Sequence, residues 1–305
     1  MFCSSARNAA GDSAKPREGS AALALGTIMN RNQSSTQTSS ASQFWIGSVA
    51  LGFVLLLTAC ATQVRFQNSD TQKPLSVPGH LYQPEGPGPF PAMVLLHSCA
   101  GLRPNVFEWA RWLKGEGYVA LGVDSFSPRG TSNVCGEKVN PSVYEVALDA
   151  FGALTYLRSL PFVDRDRIGV MGWSYGAGAA LAASNKILAK AVQPSGGEFR
   201  VAVPFYPGCS YLAQDTAVPI LLLLGEADDW TPPWLCVDVA KRLQQEGRPV
   251  FATVYPGAHH GFDKAELGFR PVTYFGYTLV YDPSATADAK KRIRDFLAQY
   301  LRRAP

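Results

Sequence analysis

From residue 74 onward the chain alternates two kinds of apolar pattern. AMVLLH (residues 92–97) and VALGVD (119–124) are strand-length runs with little polar alternation, whereas residues 106–117 between them repeat apolar positions at helical spacing. The rhythm continues with a helix-like stretch at 143–160 and strand-like stretches at 167–173, 201–206 and 219–224. A helix-like stretch at 233–246 and a strand-like one at 249–255 follow. The last segment, 285–302, places Ile293, Phe296, Leu297 and Leu301 on one helical face. Strands that are apolar on both faces, each leading to a helix, predict a mostly parallel sheet covered on both sides, a doubly wound α/β architecture. Residues 75–83 are expected to add an antiparallel edge, ended by the turn GPGPFP at 86–91. No internal repeat interrupts this domain, which is expected to span 74–303.

The first sixty residues do not share the pattern. A Ser/Asn/Gln/Ala-rich stretch leads into residues 44–57, fourteen positions without a charge. A membrane-crossing helix needs about 20 apolar residues, so this segment predicts an export signal within 1–59 instead. Leu57-Thr58-Ala59-Cys60 resembles the lipobox of bacterial lipoproteins. That resemblance implies cleavage before Cys60, lipidation of its thiol and a tether over 60–73. Ala61 in the next position implies the periplasmic face of the outer membrane within the bacterial cell envelope. Met29, with Arg31 behind it, starts a signal of more usual length than Met1, so residues 1–28 are expected to be an untranslated extension.

Composition narrows the partners. With 305 residues, 47% hydrophobic and 17% charged, the chain can bury a large core, and its net charge of +4 is half carried by the first sixty residues. A near-neutral body argues against nucleic acid as a partner. No Cys-x-x-Cys or His/Cys cluster points to zinc, and no metal or organic cofactor is expected.

The sharpest local signal is Gly172-Trp173-Ser174-Tyr175-Gly176, lying between a predicted strand and an alanine-rich predicted helix. A serine on such a tight turn leaves no room for Cβ atoms two residues to either side, and the turn projects its hydroxyl from the sheet. The Tyr175 amide then sits at a helix N-terminus, where it can stabilise an oxyanion. Gly176-Ala-Gly178 lacks the third glycine and the acidic ribose partner of a dinucleotide site, and no Walker-type phosphate loop occurs. The serine needs a base, and only His80, His97, His259 and His260 exist. The chain order Ser, acid, His leaves the loop YPGAHHGFD (255–263), with His259 and His260 both open. Glu226, Asp228 and Asp229 compete for the acid after the strand at 219–224.

These residues resemble the dienelactone hydrolase family of α/β-hydrolases. The similarity rests on HSCAGL from His97, VDSFSPRG ending at Gly130, RIGVMGWSYG, FYPGC ending at Cys209, LLGEADDWTP and YPGAHHGFD. It implies Ser174 as nucleophile, Asp228 as acid, His260 as base, and the amides of Tyr175 and Cys99 as oxyanion donors. Arg129, Trp173 and Trp230 are the candidate substrate contacts, with pairing to an acid as the alternative for Arg129. The founding members carry a cysteine nucleophile and a glutamate where this chain has Ser174 and Ser98, so activation by histidine during attack is implied. In an exported domain the remaining cysteines are expected to pair as Cys209–Cys236 and Cys99–Cys135. The function expected is hydrolysis of a small-molecule carboxylic ester or lactone. A peptidase or acyltransferase of the same fold, or a catalytically silent lipid-anchored binding protein, is the alternative.

Overall fold

The apolar runs become the inner strands of one sheet in the computed structural model of the chain, which describes residues 61–136, 140–193, 197–212, 216 and 218–301. The expected leader, 1–59, and Cys60 lie outside the described residues. The strands are β1 (Thr62–Gln67), β2 (Ser76–Tyr82), β3 (Phe90–Leu96), β4 (Val119–Val123), β5 (Val163–Trp173), β6 (Ala202–Phe205), β7 (Ile220–Gly225) and β8 (Val250–Tyr255). They form an eight-stranded sheet in the order β1-β2-β4-β3-β5-β6-β7-β8. Pairing is parallel from β4 through β8, while β2 runs antiparallel to β4 and β1 antiparallel to β2.

The expected edge at 75–83 is therefore second from the edge, and the expected tether at 60–73 contains the true edge strand, β1. The signal was weak for a physical reason. Only one face of β1 packs on the domain, so only Val64 and Phe66 turn inward, and Phe66 stacks on Tyr156.

Successive residues of each inner strand feed opposite layers. Met93 and Leu95 of β3 pack with Trp109 and Leu113 of α1 (Pro104–Gly115) and with Ile293 and Leu297 of α6 (Pro283–Tyr300). Val94 and Leu96 pack on the other face with Ala150 and Leu154 of α2 (Val143–Ser159) and with Ala180 of α3 (Tyr175–Ala183). That face also carries α4 (Lys186–Val192) and α5 (Trp234–Gln245). Both faces are thus dry, which is why the strands read as continuous apolar runs. Among the described residues no helix is long and apolar enough to cross a membrane.

The strand order positions the site. The chain leaves β3 toward β4 on one side, whereas β5, β6, β7 and β8 follow on the other, so loops diverge at the carboxyl ends of β3 and β5 and leave a crevice there. A small antiparallel hairpin, β9 (Val272–Tyr274) and β10 (Tyr277–Leu279), stands apart from the main sheet. Cys99–Cys135 and Cys209–Cys236 both form disulfides, the pairing expected from the sequence.

Candidate active site

Ser174 follows β5 directly and adopts φ 52°, ψ −109°, a left-handed conformation that costs a non-glycine residue on the order of 1–3 kcal/mol. The surroundings hold it there. Its amide donates to the Phe205 carbonyl at 3.0 Å, and its own carbonyl accepts from Gly178 at 3.0 Å. The flanking glycines have no alternative: a Cβ on Gly172 would lie 2.2 Å from the Gly176 carbonyl oxygen, and one on Gly176 would lie 2.2 Å from that of Leu96. The turn is therefore wedged between β3 and α3.

The hydroxyl so presented meets a line of hydrogen bonds. Ser174 Oγ is 3.0 Å from His260 Nε2, and His260 Nδ1 is 2.8 Å from Asp228 Oδ2. A carboxylate only accepts, so Nδ1 carries the proton and Nε2 is left to accept from the serine. Asp228 is fixed from behind, since its Oδ1 accepts from the amides of Trp230 (2.9 Å) and Thr231 (2.8 Å). The Thr231 hydroxyl lies 3.0 Å from both Asp228 Oδ2 and the Tyr206 carbonyl. His260 is 2% exposed, and this burial pushes its imidazole below the ordinary 6.5, against the opposing pull of Asp228. The ring is consequently neutral at pH 7.

The alternatives left open by the sequence separate here. Glu226 accepts from the Gly257 amide at 2.9 Å and steadies the turn before the histidines. Asp229 accepts from the Thr278 amide at 3.0 Å and ties down the β9–β10 hairpin. His97 is buried, with Nδ1 2.8 Å from the Ser98 carbonyl and Nε2 accepting from the Ser125 amide at 3.3 Å, so it orders the loop after β3.

Ser174 and His260 open onto a cavity of about 190 Å³. Ser98, Cys99, Cys135 and Trp230 line it, and so do residues for which no role was expected, among them Arg103, Lys264, Tyr274 and Leu279. The Cys99–Cys135 bridge is part of the wall, and the Cys99 carbonyl accepts from the Val134 amide at 2.8 Å. Trp230 stacks on Tyr277 at 4.8 Å, which joins the acid loop to the hairpin. The Tyr175 amide is the first of α3, with no carbonyl four residues earlier in the helix to receive it.

Two expected substrate contacts lie elsewhere. Arg129 makes a two-pronged ion pair with Asp149 (2.7 and 3.0 Å) and donates to the Ser125 carbonyl, and it does not line the cavity. Asp149 is fully buried on α2, and a carboxylate there needs a charged partner, so the alternative of pairing with an acid describes Arg129. Trp173 has its side chain in the opposite layer, fully buried, with its indole donating to Asp263 at 2.7 Å.

Asp263 itself gave no signal in the sequence beyond its place after His-Gly-Phe. The β9–β10 hairpin had a faint one. Gly276 sits between apolar residues as a turn glycine should, but its partner Phe275, also at positive φ (51°), is not a residue that favours that conformation. Among the described residues no group of three or more His, Cys, Asp or Glu side chains is placed to hold a metal ion.

A mostly parallel sheet, a strained serine after a central strand and loops converging on it define an α/β-hydrolase fold. The dienelactone hydrolase family matches residues 77–301, and the chain belongs to it. It is accordingly a carboxylic ester hydrolase. A Bradyrhizobium protein named "Probable 2-oxo-3-(5-oxofuran-2-ylidene)propanoate lactonase" is 28% identical over 226 residues, 66% of this chain and 87% of that protein. Among solved structures, a dienelactone hydrolase-like promiscuous phosphotriesterase from metagenomic libraries superposes with a TM-score of 0.61 at 20% identity, over 79% of this chain and 99% of that one. A Thermogutta terrifontis esterase with propionate bound gives 0.58 at 16% identity, over 77% and 93%. At such identities these two structures attest to the fold alone.

Proposed function

We propose that this protein hydrolyses small carboxylic esters or lactones through an acyl-enzyme on Ser174. The observation that carries the reading is the unbroken line Ser174 Oγ, His260 Nε2, His260 Nδ1, Asp228 Oδ2, opening at its serine end onto the cavity. As Ser174 Oγ attacks the carbonyl carbon, its proton passes to Nε2, and Asp228 stabilises the imidazolium. The amides of Tyr175 and Cys99 receive the developing oxyanion, each contributing on the order of 10²–10³ in rate. The proton on Nε2 then goes to the departing alkoxide, or to the ring oxygen of an opened lactone. Water, deprotonated by the same nitrogen, attacks the acyl carbon, and that proton passes to Ser174 Oγ as the acyl–Oγ bond breaks and the acid leaves. The lactonase name of the Bradyrhizobium relative supports a lactone as one substrate class. A catalytically silent binding protein would have no use for a strained serine aligned with a buried base and acid.

A fluorophosphonate probe tests this. The wild type is expected to gain one adduct mass, located on the peptide containing Ser174, with loss of turnover of short nitrophenyl esters. A protein that keeps full turnover while unlabelled at Ser174 overturns the reading.

We further propose that the protein is exported and held at the cell envelope, on the periplasmic face of the outer membrane, by lipid on Cys60. The two disulfides among the described residues support an oxidising compartment, since thiols of cytosolic proteins are kept reduced. Metabolic labelling with an alkynyl fatty acid is expected to mark the wild type and not Cys60→Ala. Equal labelling of the two excludes that anchor.

A further inference from the structure

A second carboxylate lies close to the base, and the proposed acyl transfer does not use it. Asp263, three residues after His260, is 2% exposed. Its Oδ2 accepts from both Trp109 Nε1 (2.8 Å) and Trp173 Nε1 (2.7 Å), and its Oδ1 accepts from the Tyr206 hydroxyl at 2.6 Å. Indole nitrogens only donate, and three donors on two oxygens are the coordination of an ionised carboxylate. The donors come from three separate parts of the fold: α1, the end of β5 and the turn after β6. Burying a carboxylate carries an effective penalty of several kcal/mol, and none of these three donors bears a charge to offset it. An apolar side chain here would leave three buried donors without an acceptor, and the nearest cation acting on the carboxylate is the adjacent, buried Lys264.

Tyr206 links this carboxylate to the base. Its ring lies 4.5 Å from the His260 ring, centroid to centroid, and its carbonyl meets the Thr231 hydroxyl that touches Asp228. It is held at φ 40°, one of three non-glycine residues at positive φ among those described, Ser174 being another. Strain of this kind persists only where the surroundings over-determine it.

We propose that Asp263 is a positioning residue for the hydrolysis, a fixed buried negative charge that stabilises the imidazolium formed when His260 takes the Ser174 proton. The inference rests on the proposed role of His260 as base. Other groups around the ring act in both directions. Burial opposes the charged imidazole most, Asp228 favours it most, Lys264 on the same loop opposes it, and Asp263 favours it with a smaller effect than either neighbour. Glu266 and Arg103, at the cavity wall, act on Lys264 with opposite signs. Tyr206 stays protonated, since burial and the neighbouring Asp263 push its hydroxyl far above the ordinary tyrosine value.

Asp263→Asn tests the charge with little change of shape. The amide oxygen still accepts from both indoles, and its NH₂ donates to the Tyr206 hydroxyl, which reverses its own proton. The acid limb of kcat/KM reports the neutral imidazole of the free enzyme, and activity falls as pH drops through its pKa. Removing a negative charge lowers that pKa. The limb is therefore expected to move to lower pH by about half a unit, while the plateau kcat falls by up to about threefold because the base is weaker. A loss of packing has the opposite sign, because water entering the site relieves the burial of His260 and raises its pKa. A limb that stays in place or moves up in Asp263→Asn overturns the proposal.

Tyr206→Phe keeps the carboxylate and removes one of its donors, so its limb is expected at or above the wild-type position. A limb displaced downward in this variant overturns the charge reading even if Asp263→Asn does not fold. The failure of this inference is distinct from failure of the hydrolytic reading. In the first case Ser174 is still labelled by fluorophosphonate and His260→Ala is still inactive. In the second, neither holds.

Discussion

Replacing Ser174 by alanine is expected to lower kcat for a short nitrophenyl ester by about 10⁴–10⁶-fold while leaving the fold intact. The size follows from the role proposed for the residue. Without Oγ no acyl-enzyme forms, and what survives is the catalysis that an oxyanion site and substrate binding give to attack by water, about 10³–10⁴ over the uncatalysed reaction in comparable enzymes. The loss should be strongly non-additive. With the serine gone, His260 has no proton to accept, so Ser174→Ala with His260→Ala should be little worse than either change alone. Stability should hardly change, because the wedge that strains the turn is made by Gly172, Gly176 and the Leu96 carbonyl, all of which remain. Steady-state kinetics and thermal melts on the three variants check this. Additive losses, or a surviving burst of product equal to the enzyme concentration, would assign the nucleophile to another residue.

Asp228→Asn is expected to cost about 10³–10⁴ in kcat, with the amide still held by the backbone. The new side chain keeps an oxygen for the amides of Trp230 and Thr231, so the loop need not move. Where Oδ2 now accepts from His260 Nδ1 at 2.8 Å, however, an NH₂ group would donate. The imidazole answers by placing its proton on Nε2, which faces Ser174 Oγ and can no longer accept from it. Asp229→Asn, one residue along, is the matched control. Its carboxylate is held by Thr278 of the hairpin, through both the amide and the hydroxyl, and the amide oxygen of asparagine can still accept there. That variant should lose less than about tenfold, in KM more than in kcat. Equal losses at the two positions would show that the whole loop is being disturbed.

The contrast between Asp228 and Asp229 shows how far the sequence could be read. Glu226, Asp228 and Asp229 share one short turn, and local pattern cannot rank them because their partners come from elsewhere: the Gly257 amide, His260 and the Thr278 amide. His259 and His260 posed the same difficulty. Adjacent loop residues diverge in direction, and only the packing of that loop onto the ends of the strands decides which ring reaches the serine. Resemblance to the family selected the same Asp228 and His260 that the hydrogen bonds join. It also suggested Arg129 near the substrate, where Asp149 holds the guanidinium instead. The tether and β1 failed differently, since an edge strand with two inward residues hardly differs from a linker.

What the sequence by itself determined was the class of fold, the strand-to-helix turn that exposes Ser174 and the chemistry that such a serine permits. Each rests on local sterics or on periodicity, which act within a few residues and leave their mark in the order of the side chains. Only the tertiary structure joined Ser174, His260 and Asp228 by hydrogen bonds, walled the cavity with the hairpin, buried the His260 ring and gave the carboxylate of Asp263 its three donors. Those features need groups from β5, β6, β7, the loop after β8 and α1 brought within about 3 Å of one another. Distances between residues far apart in the chain are set by the packing of the whole core, and no local pattern records them.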